Sequence, residues 1–331
     1  MTAPLRVIVV GVGAMGRGWL STVDASPDTE LAGVVDLDLA AAEAAAGGLP
    51  FASSISALGV EADAVINVSV PEAHYPVTLE AFELGLPVLG EKPLAATLPE
   101  AVRLVAAAER AGLLFMVSQS RRYNPQLFAL KAGIAELGET GMVVCDFFRD
   151  PRFGGFRAVM DHPLLLDMAI HPFDSARYLL DADPVSVYCE EHNPPWSTFR
   201  GAAAATAVFQ MTGGKRFVYN GSWSSPGAES SWNGVWRVSC SGGSALWDGD
   251  NPASVQVAGG ATRVLPDDPS AGNGIDGSLA EFVAAVRTGS RPMGEARDNV
   301  LSLAMVFAAA SSAESGQPVR IADVLNAAAD F

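Results

Sequence analysis

The stretch LRVIVVGVGAMGRGWL, residues 5–20, decides the fold class of this chain. Leu5–Val10 is a strongly apolar run, the pattern of a parallel strand buried on both faces. Gly11, Gly13 and Gly16 follow at the spacing GxGxxG, with Ala14 and Met15 between them, and the pattern predicts a helix from Ala14 to Ala25. Each glycine has a separate job after a buried strand. Gly11 permits the tight turn, Gly13 lets the backbone approach a pyrophosphate, and Gly16 lets the helix pack closely on the sheet. The free N–H groups and positive end of the helix favour an anion. Gly11, Gly13, Ala14, Met15 and Gly16 are therefore expected to cradle a dinucleotide.

Further along, Glu30–Val35 reads as a second strand, and Asp36 closes it about twenty residues beyond the last glycine, where a carboxylate accepts from an adenosine ribose. Leu37, Asp38 and Leu39 offer no cation for a 2′-phosphate, so NAD is expected rather than NADP. The alternation continues. Leu39–Gly47 reads as a helix, Ala64–Val70 as a strand, Ala73–Leu84 as a helix and Pro87–Gly90 as a short strand. A helix over Leu98–Ala111 between Thr97 and Gly112, suited to cap its two ends, leads into a last run, Leu113–Ser118. Repeated β-α units with right-handed crossovers imply a doubly wound parallel sheet, an α/β Rossmann domain over residues 1–120.

The pattern changes after residue 120. Met142–Phe148 reads as a strand and Pro163–Leu180 as a helix with Pro163 in its first turn. From Ala202 to Leu265, strand-like runs flank Gly213-Gly214, Gly242-Gly243 and Gly259-Gly260, dipeptides suited to tight hairpins. Helices are expected over Ser278–Thr288 and Glu295–Ser315. Residues 121–331 are thus expected to form an α+β domain with a large, open, mainly antiparallel sheet. The free face of such a sheet suggests a homodimer or homotetramer. Trp223, Trp232 and Trp236 fall on it; aromatic platforms can stack on sugars, but core or interface packing is the commoner use.

Bulk properties set limits. At 331 residues the chain exceeds what one core usually serves, in keeping with two domains. A net charge of −16 argues against nucleic acid and anionic membrane surfaces as partners. Cys145, Cys189 and Cys240 are far apart and form no CxxC pair, so neither a metal site nor a disulfide framework is indicated, and a cytoplasmic location is expected. No apolar run reaches the roughly 18 residues of a membrane span.

Two further clusters carry chemistry. Glu91-Lys92-Pro93 follows the short strand at 87–90, and a lysine at the carboxyl end of a sheet strand lies where open α/β sheets bind ligands. An ammonium there stabilises a developing alkoxide. On chemistry alone, a surface lysine in a loop is the blander alternative. Asp167 and His171 are four apart, hence neighbours on one helix face, and an imidazole moves protons near neutral pH. Removing a hydride from an alcohol requires a base for the hydroxyl proton. Pro172, directly after His171, removes a backbone donor and is expected to disturb that helix. Phe153, Phe156 and Arg157 lie in a Gly-containing loop before the helix and are candidates for a substrate lid; His162 either touches substrate or caps the helix.

These motifs together resemble the Gfo/Idh/MocA family of glucose–fructose oxidoreductases and inositol dehydrogenases. The resemblance rests on GVGAMG at 11–16, Asp36, Ser69-Val-Pro71 with His74, GEKPL at 90–94, RRYNP at 121–125 and DMAIHPFD at 167–174. It implies that Lys92, Asp167 and His171 are catalytic, with His171 the acid/base. It implies that Ser69, Pro71, His74, Glu91, Lys92 and Arg122 line the cofactor, and that Lys92, Asp167 and His171 meet the substrate. The candidates Phe156, Arg157 and His162 join them as substrate contacts. The implied activity is hydride transfer between NAD and a secondary alcohol or ketone of a sugar, inositol or related polyol. Two alternatives share the scaffold: an NAD-dependent glycosidase, and a non-catalytic NAD-binding regulator.

Overall fold

The computed structural model describes residues 3–330. The chain divides into two compact units. The first takes residues up to Tyr123, Gly272–Val300 and the residues from Ala328. It opens with β1 (Leu5–Val10), α1 (Ala14–Ala25), β2 (Thr29–Val35), α2 (Leu39–Ala46), β3 (Phe51–Ala52), α3 (Ile55–Leu58) and β4 (Ala64–Asn67). There follow α4 (Pro71–Glu83), β5 (Val88–Glu91), α5 (Leu98–Ala111) and β6 (Phe115–Ser118). The strands form one sheet in the order β3-β2-β1-β4-β5-β6, and all its pairings are parallel. The order reverses between β1 and β4, the switch point at which open α/β sheets bind ligands.

Register decides what meets there. Val10 pairs with Val35 and with Asn67, and Asn67 with Gly90. Gly11, Asp36 and Val68 therefore leave the sheet at the same carboxyl edge, where Glu91 ends β5. Local chemistry ends the elements. Thr97 and Glu100 form a reciprocal capping box on α5, and Gly112 closes it in the left-handed conformation. The expected strand over Ala64–Val70 stops at Asn67, whose Oδ1 accepts from the Ser69 N–H and hydroxyl and so bends the chain.

The second unit takes Asn124–Ala271 and Leu301–Ala327. It holds α6 (Pro125–Ala135), β7 (Thr140–Phe148), α7 (Phe156–Val159), a π-helical turn (Leu164–Ala169) and α8 (Ile170–Leu180). Then come β8 (Pro184–His192), β9 (Ala204–Met211), β10 (Arg216–Ser222), β11 (Val235–Cys240), β12 (Gly243–Trp247), β13 (Ser254–Val257) and β14 (Thr262–Val264). The chain continues through α9 (Gly274–Thr288), α10 (Ala296–Ser315), β15 (Val319–Arg320) and α11 (Ile321–Ala329). The nine-stranded sheet runs β14-β13-β12-β11-β7-β10-β9-β8-β15 and is antiparallel except for the β7–β10 pair. The three Gly-Gly dipeptides lie at the β9–β10, β11–β12 and β13–β14 connections. Phe173 of α8 is fully buried and meets Phe209, Phe217 and Tyr219 edge-on at 4.8, 5.8 and 5.4 Å. Burying such a ring is worth about 1.5–3 kcal/mol, and it pins α8 to one face of the sheet.

Two expectations need correcting. The helix expected over Pro163–Leu180 is not uniform: Pro172 cannot donate to the Met168 carbonyl, and the wider π turn precedes α8. The division into 1–120 and 121–331 misses a return. Helix α9 belongs to the first unit, where Thr22 Oγ1 of α1 donates to Asp276 at 2.7 Å and Arg287 pairs with Asp28 at 2.6 Å. No helix among the described residues is long and apolar enough to cross a membrane.

Candidate active site

At the carboxyl edge of the parallel sheet, the glycine turn has three different environments. A Cβ on Gly16 would stand 2.0 Å from the Gly11 carbonyl oxygen, and one on Gly11 2.6 Å from that of Val68, with φ of Gly11 at +95°. Both positions therefore demand glycine for packing. Gly13 differs: a Cβ there would meet nothing within 4 Å. Gly13, Ala14 and Met15 are exposed, and no side chain caps the start of α1. An open backbone strip at an uncapped helix start, with its N–H groups free of side-chain acceptors, fits a pyrophosphate. Asp36 accepts from the Val12 N–H through Oδ2 and from the Asp38 N–H through Oδ1, both at 2.9 Å. Each oxygen keeps a lone pair for a ribose hydroxyl. Leu37 is exposed beside it.

The loop after β5 is held from both sides. Glu91 is buried; its Oε1 accepts from Trp19 Nε1 at 2.8 Å and its Oε2 from the Lys92 N–H at 3.1 Å. Burial pushes the Glu91 carboxyl up from its ordinary value. Lys92 is half-buried, and the Lys92–Pro93 peptide is cis. His74 is almost fully buried on the first turn of α4, with Nδ1 2.7 Å from the Pro93 carbonyl oxygen and Nε2 3.0 Å from that of Ser69. Burial is the main influence on His74, pushing its pKa down. Pro71 starts α4. Arg122 is buried just past β6, and its Nη1 donates to the Met293 carbonyl at 2.7 Å.

In the second unit Asp167 lies in the π turn and His171, 8% exposed, in α8, so the pair straddles the junction of the two helix types. Arg157 Nε donates to Asp167 Oδ2 at 2.5 Å. The Arg157 guanidinium lies 5.2 Å from the Phe153 ring centre and 4.6 Å from that of Phe156. Phe153 is anchored edge-on against buried Trp223 at 5.3 Å, while Phe156 is exposed. Asp174 accepts from Ser302 at 2.8 Å, a buried structural bond. Trp223 and Trp236 are core residues, and Trp232 is partly exposed with Arg149 over its ring. A hollow of about 380 Å³ elsewhere in this unit is lined by His192, Trp196 and Asn220 and by none of the expected site residues.

His162 has partners that sequence reasoning did not name. Its Nδ1 lies 2.5 Å from Glu191 Oε2 and its Nε2 3.1 Å from Glu314 Oε1. The hydrogen bond to Glu191, opposed by burial and helped by the two carboxylate charges, raises its pKa to about 9. The folded value exceeds the ordinary 6.5, so this clip contributes fully below about pH 6.5 and is lost as pH rises through about 9. Full conversion would be worth about 3 kcal/mol; solvent screening of a partly exposed group reduces that to roughly 1–2 kcal/mol. Melting temperatures at pH 6.5 and 9.5 should therefore fall further in the native protein than in His162→Gln; equal drops would remove the clip.

The sequence also gave no warning of Trp19 as an anchor for Glu91, or of Asn67. A polar residue closing the apolar run at 64–67 was the available signal for the latter.

The family described as "Oxidoreductase family, NAD-binding Rossmann fold", Gfo/Idh/MocA, matches residues 5–119, and the C-terminal domain of the same family matches residues 132–246. Inositol 2-dehydrogenase of Corynebacterium glutamicum (strain ATCC 13032) is 31% identical over 56% of this chain and 57% of its own. The 1,5-anhydro-D-fructose reductase of Ensifer adhaerens is 28% identical over 79% and 80%. Among solved structures, an Agrobacterium radiobacter oxidoreductase in complex with NAD+, L-tartaric acid and magnesium covers 98% of this chain and 100% of its own, with a TM-score of 0.88 and 19% identity, a likeness of fold. With the glycine turn, the Asp36 edge and the two-sheet architecture in place, the chain belongs to the Gfo/Idh/MocA family of NAD-binding oxidoreductases.

Proposed function

We propose that this protein transfers hydride reversibly between NAD and a secondary alcohol of a sugar, inositol or related polyol. The observation that carries the reading is the loop after β5: a lysine whose main chain is held on one side by buried Glu91 and on the other by His74, at the same carboxyl edge of the sheet as the open glycine strip. The inositol dehydrogenase and anhydrofructose reductase relatives support the substrate class. NAD supplies the hydride acceptor or donor when bound.

The chain's own residues do the rest. Gly11, Gly13, Ala14, Met15 and Gly16 hold the pyrophosphate, and Asp36 the ribose. Ser69, Pro71, Glu91 and Arg122 shape the loops that line the cofactor. The Lys92 ammonium stabilises negative charge growing on the reacting oxygen. His171 exchanges the hydroxyl proton, and Asp167 orients either His171 or the substrate. Arg157 neutralises Asp167 and, with exposed Phe156, acts as part of a lid over the substrate. The open face of the nine-stranded sheet, with Tyr188, Val208 and Val235 exposed, is read as the surface for a second copy, and sedimentation as a monomer would remove that assignment.

The deciding experiment is a panel of inositols and sugars offered with NAD and with NADP, following the absorbance of the reduced cofactor. At least one polyol should give net reduced cofactor. NAD should be favoured at least about tenfold in kcat/KM, since Leu37, Asp38 and Leu39 after Asp36 offer no cation for a 2′-phosphate. Glycoside cleavage without net reduction, or no turnover with any polyol, would overturn the reading.

A further inference from the structure

We infer that His74 is a positioning residue that ties the Lys92 loop to the first turn of α4 through a single ring N–H. This inference rests on the oxidoreductase reading above and goes beyond it, because it gives His74 a role through Lys92 and not through contact with the cofactor.

Four observations within the first unit carry it. The ring is 2% exposed, so its hydrogen bonds are not exchanged with water. Nδ1 faces the carbonyl oxygen of Pro93, one residue beyond Lys92, at 2.7 Å. Nε2 faces the carbonyl oxygen of Ser69, two residues before α4 begins, at 3.0 Å. Asn67 braces the same corner: its Nδ2 donates to Thr78 Oγ1 at 3.1 Å and to the His74 carbonyl at 3.3 Å, while its Oδ1 accepts from Ser69. The loop after β5 is thus joined by one imidazole to the first turn of α4, the helix that follows β4.

Chemistry makes the two contacts unequal. A carbonyl oxygen only accepts, so a neutral ring can donate to one of them alone. The shorter contact assigns the proton to Nδ1 and the bond to Pro93. The tie that matters most for the chemistry therefore runs to the Lys92 loop. On the Ser69 side the ring presents Nε2 without a proton, so that contact supplies no hydrogen bond. Misplacing a reacting group by about 1 Å can cost about a hundredfold in rate, so even a partial release of the Lys92 loop is measurable.

Two variants separate the two sides of the ring. An asparagine amide nitrogen reaches about where Nδ1 stands, and a glutamine amide nitrogen about where Nε2 stands. His74→Asn should hold the Pro93 carbonyl and keep both kcat and the KM for NAD within about threefold. His74→Gln should release the Pro93 carbonyl, keeping the KM for NAD while kcat falls about tenfold or more. Loss of kcat in the glutamine variant alone supports the role. Parallel losses in both variants, or no loss in either, overturn it, since a residue needed only for folding would not split kcat from KM. If neither variant folds, 15N spectra of the intact protein decide the matter. The chain has four histidines, and His162, His171 and His192 variants assign the other three signals. A proton on Nδ1 of His74 supports the tie, and one on Nε2 overturns it. A wild type inactive across the whole polyol panel would defeat the functional reading while leaving the spectroscopic result to judge the tie.

Discussion

Lys92→Ala should lower kcat by about a hundredfold to ten-thousandfold on the best polyol of the panel, while the dissociation constant for NAD changes by less than about threefold. The two halves of that expectation come from different parts of the structure. The backbone that would receive the pyrophosphate is the glycine strip at the start of α1, and Asp36 stands at the end of β2; neither needs the lysine side chain. The Lys92 main chain is held independently, by Glu91 accepting from its N–H and by His74 facing the next carbonyl, so truncating the side chain should leave the loop in place. What is lost is the ammonium at the moment charge develops on oxygen. Single-turnover kinetics and calorimetric NAD titration read the two quantities separately. A variant turning over at near-normal rate would exclude Lys92 from the reaction.

The second large effect concerns two glycines three residues apart. Gly16→Ala should lower the melting temperature and destroy NAD binding together. Its Cβ would stand 2.0 Å from the Gly11 carbonyl oxygen, and backbone cannot step aside as a flexible side chain can. Forcing such a contact costs about 1–3 kcal/mol or more and pushes α1 away from the turn. Gly13→Ala should behave in the opposite way. Its methyl group meets nothing within 4 Å, so the melting temperature should stay within about 1 °C of the parent. The methyl instead occupies the strip where a pyrophosphate would approach, and NAD affinity should fall about tenfold or more. Differential scanning fluorimetry with and without NAD measures both. A Gly13→Ala protein that binds NAD normally would show that the strip is not the phosphate cradle.

Much of the first unit could be read from local signals. Buried parallel strands announce themselves as apolar runs, and β1, β2 and β4 were of that kind. Thr97 and Gly112 marked the ends of α5 because capping chemistry is local. Other features depend on residues far apart in the chain. β8, with Glu190 and Glu191 in its last turns of alternation, lacks the apolar signature and takes its place from nine strands of pairing. Asn124 and Pro125, a cap and a first-turn proline for α6, are local signals of the same kind as Thr97 and Gly112. In the site, residue types were readable and partners were not. Nothing near His162 in sequence points to Glu191 or Glu314, and nothing near His74 points to the Pro93 carbonyl. The Arg157–Asp167 ion pair spans only ten residues, yet it depends on how the loop at 149–155 folds around Phe153.

The return of α9 to the first unit has a bearing on modularity. A gene fragment ending near residue 120 would encode every strand of the parallel sheet yet leave Thr22 of α1 without Asp276, and Asp28 in the turn after it without Arg287, both partners from a distant stretch of chain. The nucleotide-binding part is consequently not a cassette that can be cut out or grafted as one contiguous piece. Swaps between relatives that respect this architecture must exchange two blocks together, from about Asn124 to about Ala271 and from about Leu301 to about Ala327, and leave the rest of the chain with its original owner.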